Sequence, residues 1–152
     1  MRIPVWAFLV FLGAAIVSGG AAFTHEGATG VVKERMDLMK GIAAHMKALK
    51  PMIDGGSTYE PARVAKAAGA IADHAANIAP SFPKGSNAHP SEASPRIWTE
   101  WDGFAASAQA LRTHAAALQA DAEKGAGAAK ALFGEMARTC KGCHEDYRIK
   151  MQ

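Results

Sequence analysis

Apolar residues recur along this chain at steps of three, four and seven, the period of amphipathic helices, and no stretch alternates as a strand does. Val32, Met39 and Met46 repeat at seven, with Ile42 and Leu49 on the adjoining position. That seam predicts a first helix over Gly30–Leu49, and its register puts Arg35 on the same face. Lys50-Pro51 should end it, because the residue before a proline avoids the α region, and Gly55-Gly56 makes the turn. A second helix is expected from Ser57, with Ser57-x-x-Glu60 as a capping box and Pro61 still in the first turn. It repeats Val64, Ile71 and Ile78 around Ala67, Ala68 and Ala75, and stops at Ala79-Pro80. Pro80 to Ser94 reads as a crossover rich in Pro, Gly, Ser and Asn, pinned to the core by Phe82. The third helix takes Ser94 as N-cap and Pro95 as its first position. Its seam is Ile97, Trp101, Phe104, Ala108, Leu111, Ala115, Leu118 and Ala122, and Lys124-Gly125 ends it. A fourth helix over Gly127–Ile149 leads from Leu132, Phe133 and Met136 into Cys140, Cys143 and Tyr147. Four such segments imply an all-α, antiparallel four-helix bundle holding a ligand between facing helices.

The N-terminus has a different pattern. Met1-Arg2 opens it, an apolar run follows from Ile3 to Val17, and small residues occupy 18–22. This is the form of an export signal with cleavage after Ala22, which leaves a bundle domain over 23–152. The expected location is the periplasm, with no stable membrane anchor after cleavage. The rival reading is an uncleaved anchor, since Ile3 to Ala22 is about the spanning length. At 49% hydrophobic residues the chain can build a core, and its abundant alanine favours helix. The formal net charge of +3, or +2 without Arg2, comes with no basic stripe interleaved with aromatics, which argues against nucleic acid.

Both cysteines of the chain lie in Cys140-Lys141-Gly142-Cys143-His144. Cys-x-x-Cys-His is the attachment signature of a c-type haem. Two thiols add across the two vinyl groups of one porphyrin, and the adjacent imidazole reaches the iron. On a helix, positions i, i+3 and i+4 share one face, so all three side chains can point at one flat cofactor. A zinc site would need further ligands at metal spacing, and the remaining histidines are scattered. A thioredoxin-like pair would follow a strand and open a helix; this one sits late in a helix. One covalent haem c per chain is the reading these residues support. The other iron face would then meet a neighbouring helix, where Met39 is the leading candidate with Met46 and Met36 behind it. Core packing is the ordinary use of such a methionine. Arg35, a charge on an apolar face, needs a partner or a route to water, and a haem propionate would supply the partner.

These stretches resemble the class II c-type cytochromes, the cytochrome c-prime family, from Gly30 to Arg148. Arg35-x-x-x-Met39-Lys40 with His45-Met46 is similar to the family's first-helix motif. Phe82-Pro83-x-Gly85-Ser86, then Pro95-x-Ile97-Trp98 and Phe104, is similar to its crossover. Cys140-Lys141-x-Cys143-His144-x-x-Tyr147-Arg148 is similar to its last helix. The resemblance implies thioether attachment at Cys140 and Cys143 and His144 as proximal iron ligand. It implies a propionate contact at Arg35, and Arg148 on the proximal side tuning the ligand's field. Met39 takes the distal position, where the family divides. In low-spin members a methionine there is the sixth ligand and the protein carries electrons. In high-spin members the distal residue only blocks a five-coordinate iron that binds nitric oxide or carbon monoxide. Met36 stands where many high-spin members have glutamine, and this favours the low-spin side. The lead expectation is a periplasmic electron carrier, not an enzyme, serving redox partner proteins, with a homodimer through the first two helices open to it.

Overall fold

A computed structural model describes residues 27–149; the expected signal segment and its cleavage point lie outside the described residues. The helices are α1 (Gly30–Ile53), α2 (Pro61–Ala76), α3 (Arg96–Thr99), α4 (Trp101–Ala120) and α5 (Ala126–Tyr147). The four long ones close a ring in which α1 packs on α2, α2 on α4, α4 on α5, and α5 on α1. The fold is the expected four-helix bundle. Among the described residues no helix is long and apolar enough to cross a membrane.

Several boundaries differ from the sequence reading; α2 closes at Ala76 rather than Ala79, and the others have local explanations. α1 runs through Pro51 to Ile53 rather than stopping at Leu49. The extra turn buries Met52 and Ile53. Two such burials at about 1.5–3 kcal/mol each outweigh the roughly 3 kcal/mol of an internal proline. The predicted capping box does not form. Glu60 is extended and its carboxylate is taken by Arg63 at 2.6 Å, so α2 starts at Pro61.

The third predicted helix is broken at Glu100 (φ −124°, ψ 40°), whose carboxylate is held by Arg96 Nε and Nη2 at 2.9 and 2.8 Å. The helix opens at Arg96 with Pro95 in the cap position, one residue later than expected, and Ser94 Oγ accepts from the Arg96 N–H at 3.2 Å. At the break Trp101 alone leaves the seam and is 39% exposed. The other seam positions, from Ile97 and Phe104 to Leu118 and Ala122, are buried. Phe82 is buried as expected, edge-on to Phe104 with centroids 4.8 Å apart. α5 ends at Tyr147 because the crossover captures the chain beyond it. Ser94 N donates to Tyr147 O and Ile149 N to Glu92 O, both at 2.9 Å, around an antiparallel bridge between Ala93 and Arg148.

Candidate haem site

α5 carries one buried stripe, Ala129, Met136 and Tyr147, that sets the helix on the core. Cys140 and Cys143 flank that stripe, half-buried and packed against core residues, and both are free thiols. Burial pushes the Cys140 thiol up. Cys143 is pushed to about 11, by burial first and then by Cys140 and Asp146. Burial thus disfavours the thiolate form of both. His144 follows on the exposed side of the helix. Its imidazole is held below the ordinary histidine range, by partial desolvation first and then by the positive charge of Arg148, while Glu92 acts the other way. A neutral imidazole is the form that ligates iron. The donor set, its helical spacing, the two half-buried thiols and the accessible imidazole fit a covalently attached haem.

On α1 the structure separates two rows. Arg35, Ile42 and Leu49 are buried; Val32, Met36, Met39 and Met46 are only half-buried. Met39 and Met46 touch the edge of the core on the helix adjoining α5.

Arg35 is 5% exposed, and its donors are engaged by the crossover. Nε and Nη2 donate to Ser81 O at 3.2 and 3.0 Å. Nη1 donates to Ser86 O at 3.2 Å and to Ser91 Oγ at 3.0 Å, and Nη2 also donates to Ser86 Oγ at 2.7 Å. The guanidinium lies over the Phe82 ring, 3.8 Å from its centroid. Burial lowers its pKa from the ordinary arginine range. No carboxylate among the described residues neutralises it. Sequence reasoning found the charge on the apolar face but not the serines that hold it; a serine-rich crossover opposite that arginine was the available signal.

Arg148, expected on the proximal side, pairs with Glu92 of the crossover. Both charges act on the His144 imidazole. Glu92 was not anticipated from sequence.

Residues 30–148 match a family profile described as Cytochrome C'. The chain belongs to the cytochrome c' family. Cytochrome c' of Rhodopseudomonas palustris is 31% identical over 151 residues, spanning 99% of this chain and 97% of that protein. Cytochrome c-556 of Agrobacterium fabrum is 32% identical over 123 residues, spanning 81% of this chain and 84% of that one. Among solved structures, a nitric oxide complex of a variant cytochrome c' from Alcaligenes xylosoxidans superposes with a TM-score of 0.72 at 26% identity, covering 79% of this chain and 94% of that one. This cytochrome c' relative is accordingly a haem c protein of the class II type.

Proposed function

We propose that the protein is a periplasmic haem c protein that binds a small diatomic gas, nitric oxide or carbon monoxide. In this reading Cys140 and Cys143 fix the haem, His144 holds the iron from one side, and Met39 covers the other side without bonding to it. The observation that carries the reading is the match to proteins named cytochrome c', one of them solved as a nitric oxide complex. It reverses the order of preference set by Met36 and Met39 alone. When bound, the haem supplies the iron with its open position. The chain's own residues orient it, exclude water and limit access. Arg35 offers a buried cation to a propionate, at the expense of part of its bonding to the crossover, and Arg148 lies on the proximal side. We read the role as binding; among the described residues the motif is not accompanied by an acid–base or nucleophile constellation. A homodimer through α1 and α2 is compatible with it.

A second reading rests on the thioether at position 39. If Met39 bonds the iron, the protein is a low-spin electron carrier working with redox partner proteins, and a His/Met pair raises the reduction potential. The optical spectrum of the ferrous protein, with and without carbon monoxide, separates the two. The gas-binding reading expects a high-spin ferrous spectrum, carbon monoxide binding, and faster binding in Met39→Ala with no change of spin state. A low-spin spectrum that turns high-spin only in Met39→Ala hands the function to the second reading.

A further inference from the structure

The α1–α2 face holds an arrangement that neither the haem site nor the core uses. His45 on α1 and His74 on α2 converge with ring centroids 5.9 Å apart and planes tilted by 33°. Both side chains are half-buried. The His74 ring lies against the α1 backbone at Gly41, where a Cβ would stand 2.9 Å from Nε2 and 3.2 Å from Cε1. Gly41 is one turn before His45. A helical side chain leans over the turn N-terminal to its own Cα, so His45 leans toward the spot where His74 rests. The missing Cβ is thus what lets the two imidazoles meet. Among the described residues no protein hydrogen bond holds either ring. No buried side-chain nitrogen is left without a partner either, so the ring nitrogens that lack one open to water.

We propose that His45 and His74 form a two-imidazole site for a divalent first-row transition metal, with copper(II) the tightest of the series. Metal–nitrogen bonds of about 2.0–2.1 Å put each ring centroid about 3.2 Å from the ion, so two imidazoles at roughly 90–110° have centroids about 4.5–5.2 Å apart. The observed spacing is wider than that by less than about 1.5 Å, within reach of modest side-chain rotation. Imidazole suits copper, nickel and zinc, and affinity for a given site peaks at copper(II). Among the described residues no group of three or more His, Cys, Asp or Glu side chains could hold a metal ion. The two nitrogens therefore leave the other positions to water, which makes an exchangeable chelate rather than a closed structural centre. The site does not depend on the haem or on the reading of Met39; it requires that His45 and His74 stay open to solvent in any homodimer formed through α1 and α2.

The test is calorimetric titration of the ferric, haem-loaded protein with copper(II) and, separately, zinc(II), with electron paramagnetic resonance of the copper sample. The expected result is one copper(II) per chain, a hyperfine pattern from two nitrogens, and weaker zinc binding. His45→Ala and His74→Ala should each weaken copper at least tenfold. Gly41→Ala should weaken it several-fold with both donors still present, since its Cβ displaces the His74 ring. The Soret band should not change in any of the three. Unchanged affinity in either histidine variant overturns the site. So does a loss matched by His89→Ala or His114→Ala, the mark of adventitious surface binding.

Discussion

Between α2 and α4 the bundle is closed by small and medium side chains that leave solvent completely: Val64, Ala68, Ile71, Ala115 and Leu118 are all at 0% exposure. The sides of α1 and α5 that border each other are built differently. Met39 and Met46 on one, and Leu132, Phe133, Cys140 and Cys143 on the other, reach the core edge yet stay half-buried. The first seam is finished by the polypeptide. The second combines bulky, polarizable and sulfur-bearing groups whose remaining apolar surface a flat cofactor would cover, at about 25 cal/mol per Å² removed from water. One ring of helices thus divides its labour. α2 and α4 supply a scaffold that needs nothing else, and α1 and α5 hold the chemistry at a border left incomplete.

The contrast is broken most directly by truncating one residue from each seam. Leu118→Ala should lower the stability of the haem-loaded protein by about 2–5 kcal/mol in urea denaturation, because a rigid, filled site cannot collapse around the void. Met39→Ala should cost clearly less, since the side chain is already partly in solvent, and its effect should appear in the haem spectrum or the gas-binding rate. Equal costs for the two would mean that the seams do not differ.

Arg35 comes next in size. Replacing it with alanine leaves the Ser81 and Ser86 carbonyls and the Ser91 hydroxyl without their donor, and should cost about 2–4 kcal/mol, the range for hydrogen bonds to a charged group and stranded polar atoms. Hydrogen exchange should quicken in the crossover over 81–91 and hardly at all in the α2–α4 seam. Arg35→Lys should recover less than half the loss, because one ammonium with three donors cannot span acceptors that five guanidinium donors reach. Full rescue by lysine would make charge, rather than the planar fork, the source of the effect.

How legible each part was follows from the range of the forces that set it. The heptad rows through Val64, Ile71, Leu111 and Leu118 are local patterns, and they placed the closed seam correctly. The Cys140–His144 spacing is local too, and it identified the cofactor. Pro51 does not end α1 because burial of Met52 and Ile53 outweighs it, whereas the break at Glu100 has no counterpart in the local apolar pattern. Trp101 left its seam as a consequence. The partners of Arg35 and Arg148 lie 46 to 56 residues away in sequence. No periodicity carries information over that span, so the fork at Arg35 and the clasp at Glu92 needed coordinates.

The Glu92–Arg148 clasp should give the smallest stability effect and the most specific electronic one. An ion pair this exposed is worth up to about 1 kcal/mol, and the backbone bonds of Ser94 and Ile149 to the end of α5 survive its loss. Glu92→Gln should therefore barely move the urea midpoint. Its charge, however, opposes that of Arg148 at the His144 imidazole. Removing it leaves the arginine unopposed, and a more positive surrounding favours ferrous iron, so the reduction potential should rise. Arg148→Gln should lower it. If Glu92 also orients Arg148, the double variant will depart from the sum of the single shifts; simple additivity would leave two independent charges. All three shifts should shrink with added salt, because the screening length is about 8 Å at 0.15 M. A potential that stays fixed in both single variants would show that the clasp only ties the crossover to α5. The open half of the bundle would then owe its electronic character to Cys140, Cys143 and His144 alone.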